Sequence, residues 1–345
     1  MARALGLANL LDHQVGGRRN LIINGAMQVW QRGTSATGVG SGSGTYETAD
    51  RWKFILDTAT TVDSYQRAFT LGQTDVPGEP EFYLESDVTA STGSGTYYIL
   101  AQHIEDVRSL AGQTATLSFW AKSSVGGNKV GIELNQSFGG GSTRVTSVAR
   151  DSVTLSTSWQ KFSVTVDIAS ISGKTIGTTS ASYLELYLWC SAGTDFDFRS
   201  SSTPEQTGQF DFALIQLEVG ETATPFEHRS YAEELALCYR YYQTYPSSSA
   251  TTVMFTGIGL NSISVRALAK PFGGLMRAIP AITLPTSTFI KGNGSSLAVT
   301  SVQTGFQVGA GYTFVFNAAS GVSANHVYYI TGNTGSDALE LTAEL

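Results

Sequence analysis

Charged residues, cysteine and proline are all scarce in this chain of 345 residues. Charged side chains make up 14% of it, and 21 Lys and Arg stand against 28 Asp and Glu, a formal net charge of −7. A nucleic-acid-binding protein needs a basic surface to neutralise phosphates, so this balance argues against a nucleic-acid partner. The two cysteines, Cys190 and Cys238, are too few for the usual disulfide framework of a secreted domain. We therefore expect buried thiols.

Long hydrophobic runs are also missing. No stretch reaches the ~18 apolar residues of a membrane-spanning helix, and residues 1–17 lack the apolar core of a signal peptide. We therefore expect no membrane partner and assembly in a cytoplasm. The four histidines do not cluster at metal-ligand spacing, and no metalloprotease, P-loop or nucleophile-elbow motif occurs.

Glycine and alternating apolar residues are plentiful. The chain has 37 glycines against eight prolines, and 41% of its residues are hydrophobic. This composition favours short strands and turns around packed cores. About eight alternating segments before residue 230, joined by long loops, predict a two-sheet jelly-roll β-sandwich. The segment 21–29 is predicted as its opening strand, and the glycine-rich run Gly38–Gly44 as a mobile loop.

One helix and a second β-rich region follow the predicted sandwich. Ser230 and Glu233 form a capping box that begins a helix over 231–243, and short strands resume from about residue 250. The fold class is thus all-β: a jelly-roll sandwich, one helix and a second, smaller β domain. We predict an N-terminal arm at 1–19, the jelly roll at 20–229, the helix and a linker at 230–246, and the C-terminal β domain at 247–345.

Two predicted strands place aromatic side chains away from the core. If Leu117 and Phe119 point inward, their neighbours point outward, and the same holds for a strand that buries Leu184, Leu186 and Leu188. A sugar site combines flat aromatic rings with polar groups, so this face is either a glycan-binding surface or a packed interface. The outward-facing candidates are Trp120, Lys122, Tyr183, Glu185, Tyr187 and Trp189.

Pairs of carboxylates are the remaining candidates for chemistry. Acids two residues apart occur at Glu79 and Glu81, at Glu85 and Asp87, and at Asp195 and Asp197. Two acids are what glycoside hydrolysis requires, but such pairs arise by chance in any β protein. We therefore predict no catalytic residues and a protein that is not an enzyme.

Several motifs resemble one family. They are the opening segment NLIINGAMQVWQRGT (residues 20–34), TADRW (48–52), LSFWAK (117–122) and the corner ATPFEHRSYAEELALCYRYY (223–242). Together they resemble virion proteins of tailed bacteriophages, especially the tail-fibre type, that carry a jelly-roll domain similar to carbohydrate-binding modules. The similarity covers most of the chain, and it does not specify a position in the virion.

The resemblance implies a role in the virion, assembled in the cytoplasm of the bacterial host. The first expectation is a homotrimeric tail fibre or adhesin that binds a host-surface polysaccharide, with residues 1–19 contacting other virion proteins. The alternatives are a capsid-decoration or head-fibre protein that cements the capsid without binding glycan, and a polysaccharide-degrading tailspike. Related jelly rolls often hold a structural calcium ion, for which Asp211 matches the last-strand ligand, while Gln28 stands where the family often has an acid. No other cofactor is expected.

Overall fold

The computed structural model describes residues 18–139, 144–177, 181–246, 253–269, 272, 274–284, 288–292, 295–308, 311–332 and 338–345. The chain divides into two compact units. The first ends at Glu234 and also includes Leu345, and the second is Leu235–Glu344. Strands dominate both units, and the described residues include one α-helix. The predicted all-β class, with a sandwich, one helix and a smaller β domain, is confirmed.

Ten strands build the first unit. They are β1 (Ser35–Thr45), β2 (Lys53–Ala68), β3 (Phe82–Ala90), β4 (Tyr97–Glu105), β5 (Thr114–Ser123), β6 (Lys129–Ser137), β7 (Val145–Thr154), β8 (Gln160–Asp167), β9 (Tyr183–Ala192) and β10 (Gly208–Val219). All their pairings are antiparallel, and a 3-10 turn, Thr194–Phe196, follows β9.

Strand β2 belongs to both halves of the sandwich. Its first part, Lys53–Leu56, pairs with β4, and its second part, Thr61–Ala68, pairs with β3. The strand order is therefore β7-β6-β9-β4-β2 in one half and β2-β3-β10-β5-β8 in the other, and β1 also pairs with β2. Inward-facing side chains from both halves share one core, which includes Phe54, Phe119, Leu186 and Phe212, all fully buried.

The second unit contains most of the helix and ten further strands. The helix α1 spans Tyr231–Tyr239 and begins at the predicted capping box, where Ser230 N–H donates to Glu233 Oε2 at 2.9 Å. The strands are β11 (Tyr242–Pro246), β12 (Val253–Gly259), β13 (Ser264–Ala269), β14 (Ala281–Thr283), β15 (Thr288–Gly292), β16 (Ser295–Ala298), β17 (Ser301–Val308), β18 (Gly311–Asn317), β19 (Val327–Gly332) and β20 (Ala338–Thr342).

Two sheets arrange these strands. The larger has the order β16-β15-β19-β12-β13-β18-β17, and the smaller has the order β11-β20-β14. The helix is shorter than predicted because Tyr242–Pro246 pairs with β20 instead of continuing the helix or forming a linker. A separate core, which includes Phe255, Phe314 and Ile330, belongs to this unit.

Further details differ from or add to the predictions. The run Gly38–Gly44 lies within β1 rather than in a loop. Segment 21–29 is irregular, because Asn24 and Met27 have φ angles of 58° and 54°, outside the extended range of a regular strand. Both cysteines are buried. Among the described residues, no helix is long and apolar enough to cross a membrane. The predicted arm at 1–19 lies outside the described residues, except for Arg18 and Arg19.

The irregular opening segment is tied to β10 by backbone contacts. Leu21 N–H donates to the Leu217 carbonyl at 2.9 Å, and Ile215 N–H donates to the Gly25 carbonyl at 2.9 Å. A Cβ atom on Gly25 would lie 2.1 Å from the Ile215 carbonyl oxygen, so only glycine allows this approach. The motif at 20–34 therefore has a structural role: it pairs with β10 beyond Phe212, where the pairing of β10 with β3 ends.

Candidate functional site

The predicted outward-facing residues fall into two groups on different halves of the sandwich. Tyr183, Glu185, Tyr187 and Trp189 lie on β9, and Trp120 and Lys122 lie on β5. Each set does point away from the shared core, since the inward residues of both strands are buried in it. Facing away from the core is not the same as being exposed, and the two groups differ in what covers them.

The β9 group is covered by the chain that follows it. Tyr187 is 6% exposed and Trp189 is 1% exposed, so on this strand the burial agrees with the packed alternative. The segment 193–207, here called the cover segment, places the Phe196 ring 5.5 Å from the Trp189 ring. It also places the Arg199 guanidinium over the Trp189 ring, at 5.1 Å. No open ring face is left for a sugar to stack on.

A buried carboxylate fixes the cover segment in place. Glu133, on β6, is fully buried and accepts two hydrogen bonds from Arg199, at 2.8 and 2.9 Å. The same carboxylate accepts hydrogen bonds from Trp189 Nε1 at 3.1 Å and from Ser147 Oγ at 2.7 Å. Because a buried charge needs full pairing, this network serves the fold and holds Arg199 against the tryptophan.

The polar residues of β9 are also committed to neighbours. Glu185 is bound by the Arg144 guanidinium, and Tyr183 stacks on the buried His103 ring at 4.5 Å. Burial raises the pKa of Glu185, and Arg144 opposes this shift. Burial also lowers the pKa of His103 well below its ordinary value. These residues form a packed polar layer. To bind a glycan, their side chains would first have to break the contacts they already make with neighbouring residues.

The β5 group is more open, and its lysine is paired. Lys122 Nζ lies 3.4 Å from Asp211 Oδ2 on β10, and 5.3 Å from the centre of the Trp159 ring. Burial raises the pKa of Asp211 to about 6, with Lys122 opposing the shift. The tyrosine Tyr83 packs edge-on against Trp159 at 5.2 Å.

Asp211 is the predicted calcium ligand, and its surroundings do not fit that ion. An ammonium group stands beside the carboxylate, and Glu85, its cross-strand neighbour, is held by two hydrogen bonds from Arg67 at 3.0 and 2.8 Å. Calcium takes six to eight oxygen ligands, whereas the described part of the chain contains no group of three or more acidic, His or Cys side chains placed to hold a metal. A calcium site here stays a prediction that these neighbours do not favour.

Trp120 lines a pocket of about 460 Å³ on the same face. Ligand pockets commonly measure about 300–1,000 Å³, with apolar walls and a few polar groups. The walls here come from the strand neighbours Ser118 and Lys161, the loop at Pro77 and Gly78, and the corner after β10. From that corner the pocket is lined by Ala223, Pro225, Phe226 and His228. The pocket therefore combines partly exposed aromatic surface with basic and hydroxyl groups.

A β-bulge in β10 creates the base of this pocket. The pairing of β10 with β5 shifts register between Ala213 and Gln216, and Leu214 has a φ of 50°, unusual for a bulky residue. The displaced Ile215 carbonyl accepts a hydrogen bond from Asn20 Nδ2 at 3.1 Å instead. Leu214 thereby turns toward the pocket. Bulges of this kind recur next to binding sites, where they redirect side chains.

The corner segment is rigid because its acids are paired. Glu227 accepts hydrogen bonds from the backbone N–H groups of Arg19 and Asn20, both at 2.9 Å. Glu218 accepts hydrogen bonds from Thr224 N–H at 2.8 Å and from its hydroxyl at 2.7 Å. These contacts fix the chain that carries Phe226 and His228. In the sequence, the corner stood out only by its resemblance to a family motif. Its role as a pocket wall was not predicted, because no hydrophobic periodicity marks such a segment.

The chain matches no protein-family model, and no curated protein matches its sequence. Solved structures do resemble it. A family 11 carbohydrate-binding module from Clostridium thermocellum, in complex with a mixed-linked tetrasaccharide, is 13% identical; the match covers 55% of this chain and all of that one, with a TM-score of 0.32. A putative sugar-binding protein from Bacteroides thetaiotaomicron is 14% identical over 59% of this chain and all of its own, with a TM-score of 0.35.

A phage protein is also among the similar structures. The enzymatically active domain of tailspike protein 4 from bacteriophage CBA120 is 11% identical, and the match covers 58% of this chain and 21% of that one, with a TM-score of 0.31. The neighbours are thus mainly carbohydrate-binding modules, together with one phage tailspike domain. At these identities and TM-scores, the similarity does not extend to individual residues.

Proposed function

We propose that this protein is a structural component of a bacteriophage virion, a tail fibre or adhesin that binds glycan on the host surface. The observation that carries the glycan-binding part is the pocket beside Trp120, which sits on a β-bulge of a jelly-roll sandwich. The virion part is supported by the motifs at 20–34, 48–52 and 223–242. In this proposal the protein is assembled in the bacterial cytoplasm and has no catalytic role.

The set of proposed sugar-binding residues is smaller than the set that the sequence predicted. Trp120 offers its ring to the pocket, and Phe226 and Pro225 supply further apolar surface. Lys122 contributes by holding Asp211 and the neighbouring aromatic rings in place. The β9 residues Tyr187 and Trp189 are not part of the proposed site, because the cover segment buries them.

Binding to surface polysaccharides tests this proposal. We expect the purified protein to bind at least one member of an array of bacterial surface glycans, and Trp120→Ala to weaken that binding about tenfold, as loss of a central aromatic contact does. The matched control is Phe198→Ala, which removes a ring that is 64% exposed on the other half of the sandwich. If Trp120→Ala and Phe198→Ala both bind the glycan as tightly as the wild-type protein does, the pocket is not the glycan site.

A capsid-decoration or head-fibre protein is the second candidate. The burial of the β9 residues favours it, since four of the six predicted sugar-binding residues pack against neighbouring side chains instead. In this alternative, contacts with other virion proteins would involve residues 1–19, most of which lie outside the described residues. A particle reconstruction that places the protein on the capsid, combined with no glycan binding, would support this role.

We also propose that the protein is a homotrimer. Support comes from the second unit, where exposed apolar side chains share one face of the larger sheet. Ile258 pairs across strands with Val327, and Tyr329 lies two residues after Val327 on the same side. On the opposite flank Ile258 pairs with Arg266, and Leu268 lies two residues after Arg266 on that same side. Each of the four apolar side chains is about half exposed, and contiguous exposed apolar surface marks interaction sites.

A further inference from the structure

The ionisable side chains that line the Trp120 pocket, Lys161 and His228, are both basic. Lys161 lies directly across from Trp120 in the β5–β8 register, so both side chains project from the same face. His228 faces them from the corner, with its ring edge-on to Phe226 at 5.1 Å. Among the described residues that line the pocket, none carries a carboxylate. This is unexpected in a chain with a net charge of −7.

Three acids near the pocket are paired with basic side chains. Glu218 lies 3.3 Å from Arg19, and Glu227 lies 3.0 Å from Arg229. Asp211 is paired with Lys122. A fourth acid, Glu79, is exposed on the loop that carries Gly78, and its carboxylate accepts the Gly72 N–H at 3.1 Å. Because three of these acids are already paired, the ionisable groups that line the pocket itself are the basic ones.

Lys161 is the group left to act on a ligand. It is exposed, and within the described part of the chain no carboxylate lies within ion-pair distance of it. Its ammonium provides three donors and a full positive charge beside the Trp120 ring. A saccharide unit stacked on that ring would bring its substituents toward this ammonium and toward the His228 imidazole.

We propose that the pocket recognises an anionic saccharide unit, one that carries a carboxylate or a phosphate group. Trp120 stacks against the apolar face of the sugar ring, and Lys161 pairs with the anionic substituent. This inference rests on the proposed glycan-binding function and specifies its ligand class. The group is exposed, so the ion pair supplies selectivity of about two- to fivefold in Kd rather than most of the affinity.

Fluorine NMR on protein labelled with 5-fluorotryptophan tests the proposal with small probes. The chain has five tryptophans, and Trp120→Phe assigns the relevant signal by its disappearance. The titrants are methyl glucoside, methyl glucuronide and methyl glucoside 6-phosphate, which share a ring and differ in charge and in the type of anion. We expect the Trp120 signal to shift at about two- to fivefold lower concentration of at least one anionic probe than of methyl glucoside.

The variants separate this inference from the function on which it rests. Lys161→Gln should abolish the preference for anionic probes and keep the response to methyl glucoside. Lys174→Gln, the same change at an exposed lysine that does not line the pocket, should leave the preference intact. Equal response to charged and neutral probes in the wild type would overturn the anionic ligand and leave glycan binding standing. No response of the Trp120 signal to any probe would overturn both.

Discussion

Asp211 is the side chain whose ionisation most directly affects the stability of the sandwich around β5 and β10. Its pKa in the folded protein is about 6, against an ordinary value of 3.8 for aspartate, because burial disfavours the charged form. Between these pH values the folded state therefore binds more protons than the unfolded state does. The free energy of unfolding contributed by this group is largest below about pH 4 and falls as the pH rises toward 6.

Replacing Asp211 with asparagine should remove this dependence. We expect Asp211→Asn to gain stability relative to the wild type as the pH rises from about 4 to 7, by about 1–3 kcal/mol over that range. Urea unfolding at a series of pH values measures the difference. The charged groups that face Asp211 are Lys122, Glu85 and Arg67, and all remain in the variant.

The exposed residue Asp75 provides the control for this experiment. Asp75→Asn makes the same chemical change outside the core and should leave the pH dependence of the wild type in place. A stability difference for Asp211→Asn that does not change between pH 4 and 7 would contradict the assigned pKa.

Two tryptophans show what the alternation of a strand can predict about a single side chain and what it cannot. Alternation correctly predicted that Trp120 and Trp189 point away from the shared core, because Phe119 and Leu188 point into it. It could not predict their exposure, since that depends on chain packed from elsewhere. Trp189 lies beneath Arg199 and Phe196, and nothing in the alternation of β9 signals that cover.

At the scale of elements, the cover segment depends on one ion pair. Replacing Arg199 with methionine would keep much of its apolar length but leave the Glu133 carboxylate buried without its cation. Breaking one partner of a buried pair typically costs about 3–5 kcal/mol. We expect Arg199→Met to lower the free energy of unfolding by about that amount and to expose Trp189 to quenching by acrylamide.

A second arginine of the same region gives the matched control. Arg150 lies over the exposed Phe198 ring at 3.7 Å, on the surface of the sandwich, so Arg150→Met should change stability by less than about 1 kcal/mol. If both variants unfold at the same urea concentration as the wild type, the Glu133–Arg199 pair does not hold the cover segment.

Sequence patterning failed where side-chain alternation and backbone conformation disagree. The glycine-rich β1 has few side chains to alternate, yet its backbone pairs with β2. Segment 21–29 has the opposite property: its apolar residues alternate, but left-handed Asn24 and Met27 prevent a strand. The bulge at Leu214 is a local register shift, and no pattern in β10 distinguishes it from regular pairing.

At the scale of the whole molecule, the apolar face of the second unit bears on assembly. Ile258 is 54% exposed and lies beside Val327 in the sheet. We expect Ile258→Glu to shift the molar mass measured by light scattering from trimer toward monomer, because a charge in a packed interface is costly to desolvate. Binding of single saccharide probes should be unchanged.

Leu71 supplies the control for the assembly experiment. It is 91% exposed in the first unit, so Leu71→Glu adds the same charge without touching the proposed interface and should leave the mass unchanged. A wild-type protein that is monomeric at all concentrations tested would contradict the proposed trimer.

Strand β2 has a mechanical consequence for the sandwich. The covalent backbone of one strand runs from Lys53 in one half of the sandwich to Ala68 in the other. Sliding the two halves past each other would therefore require the chain between Leu56 and Thr61 to stretch, as well as the core to shear. The two halves are thus linked by covalent bonds as well as by hydrogen bonds and core contacts. We therefore expect them to lose their structure together under force.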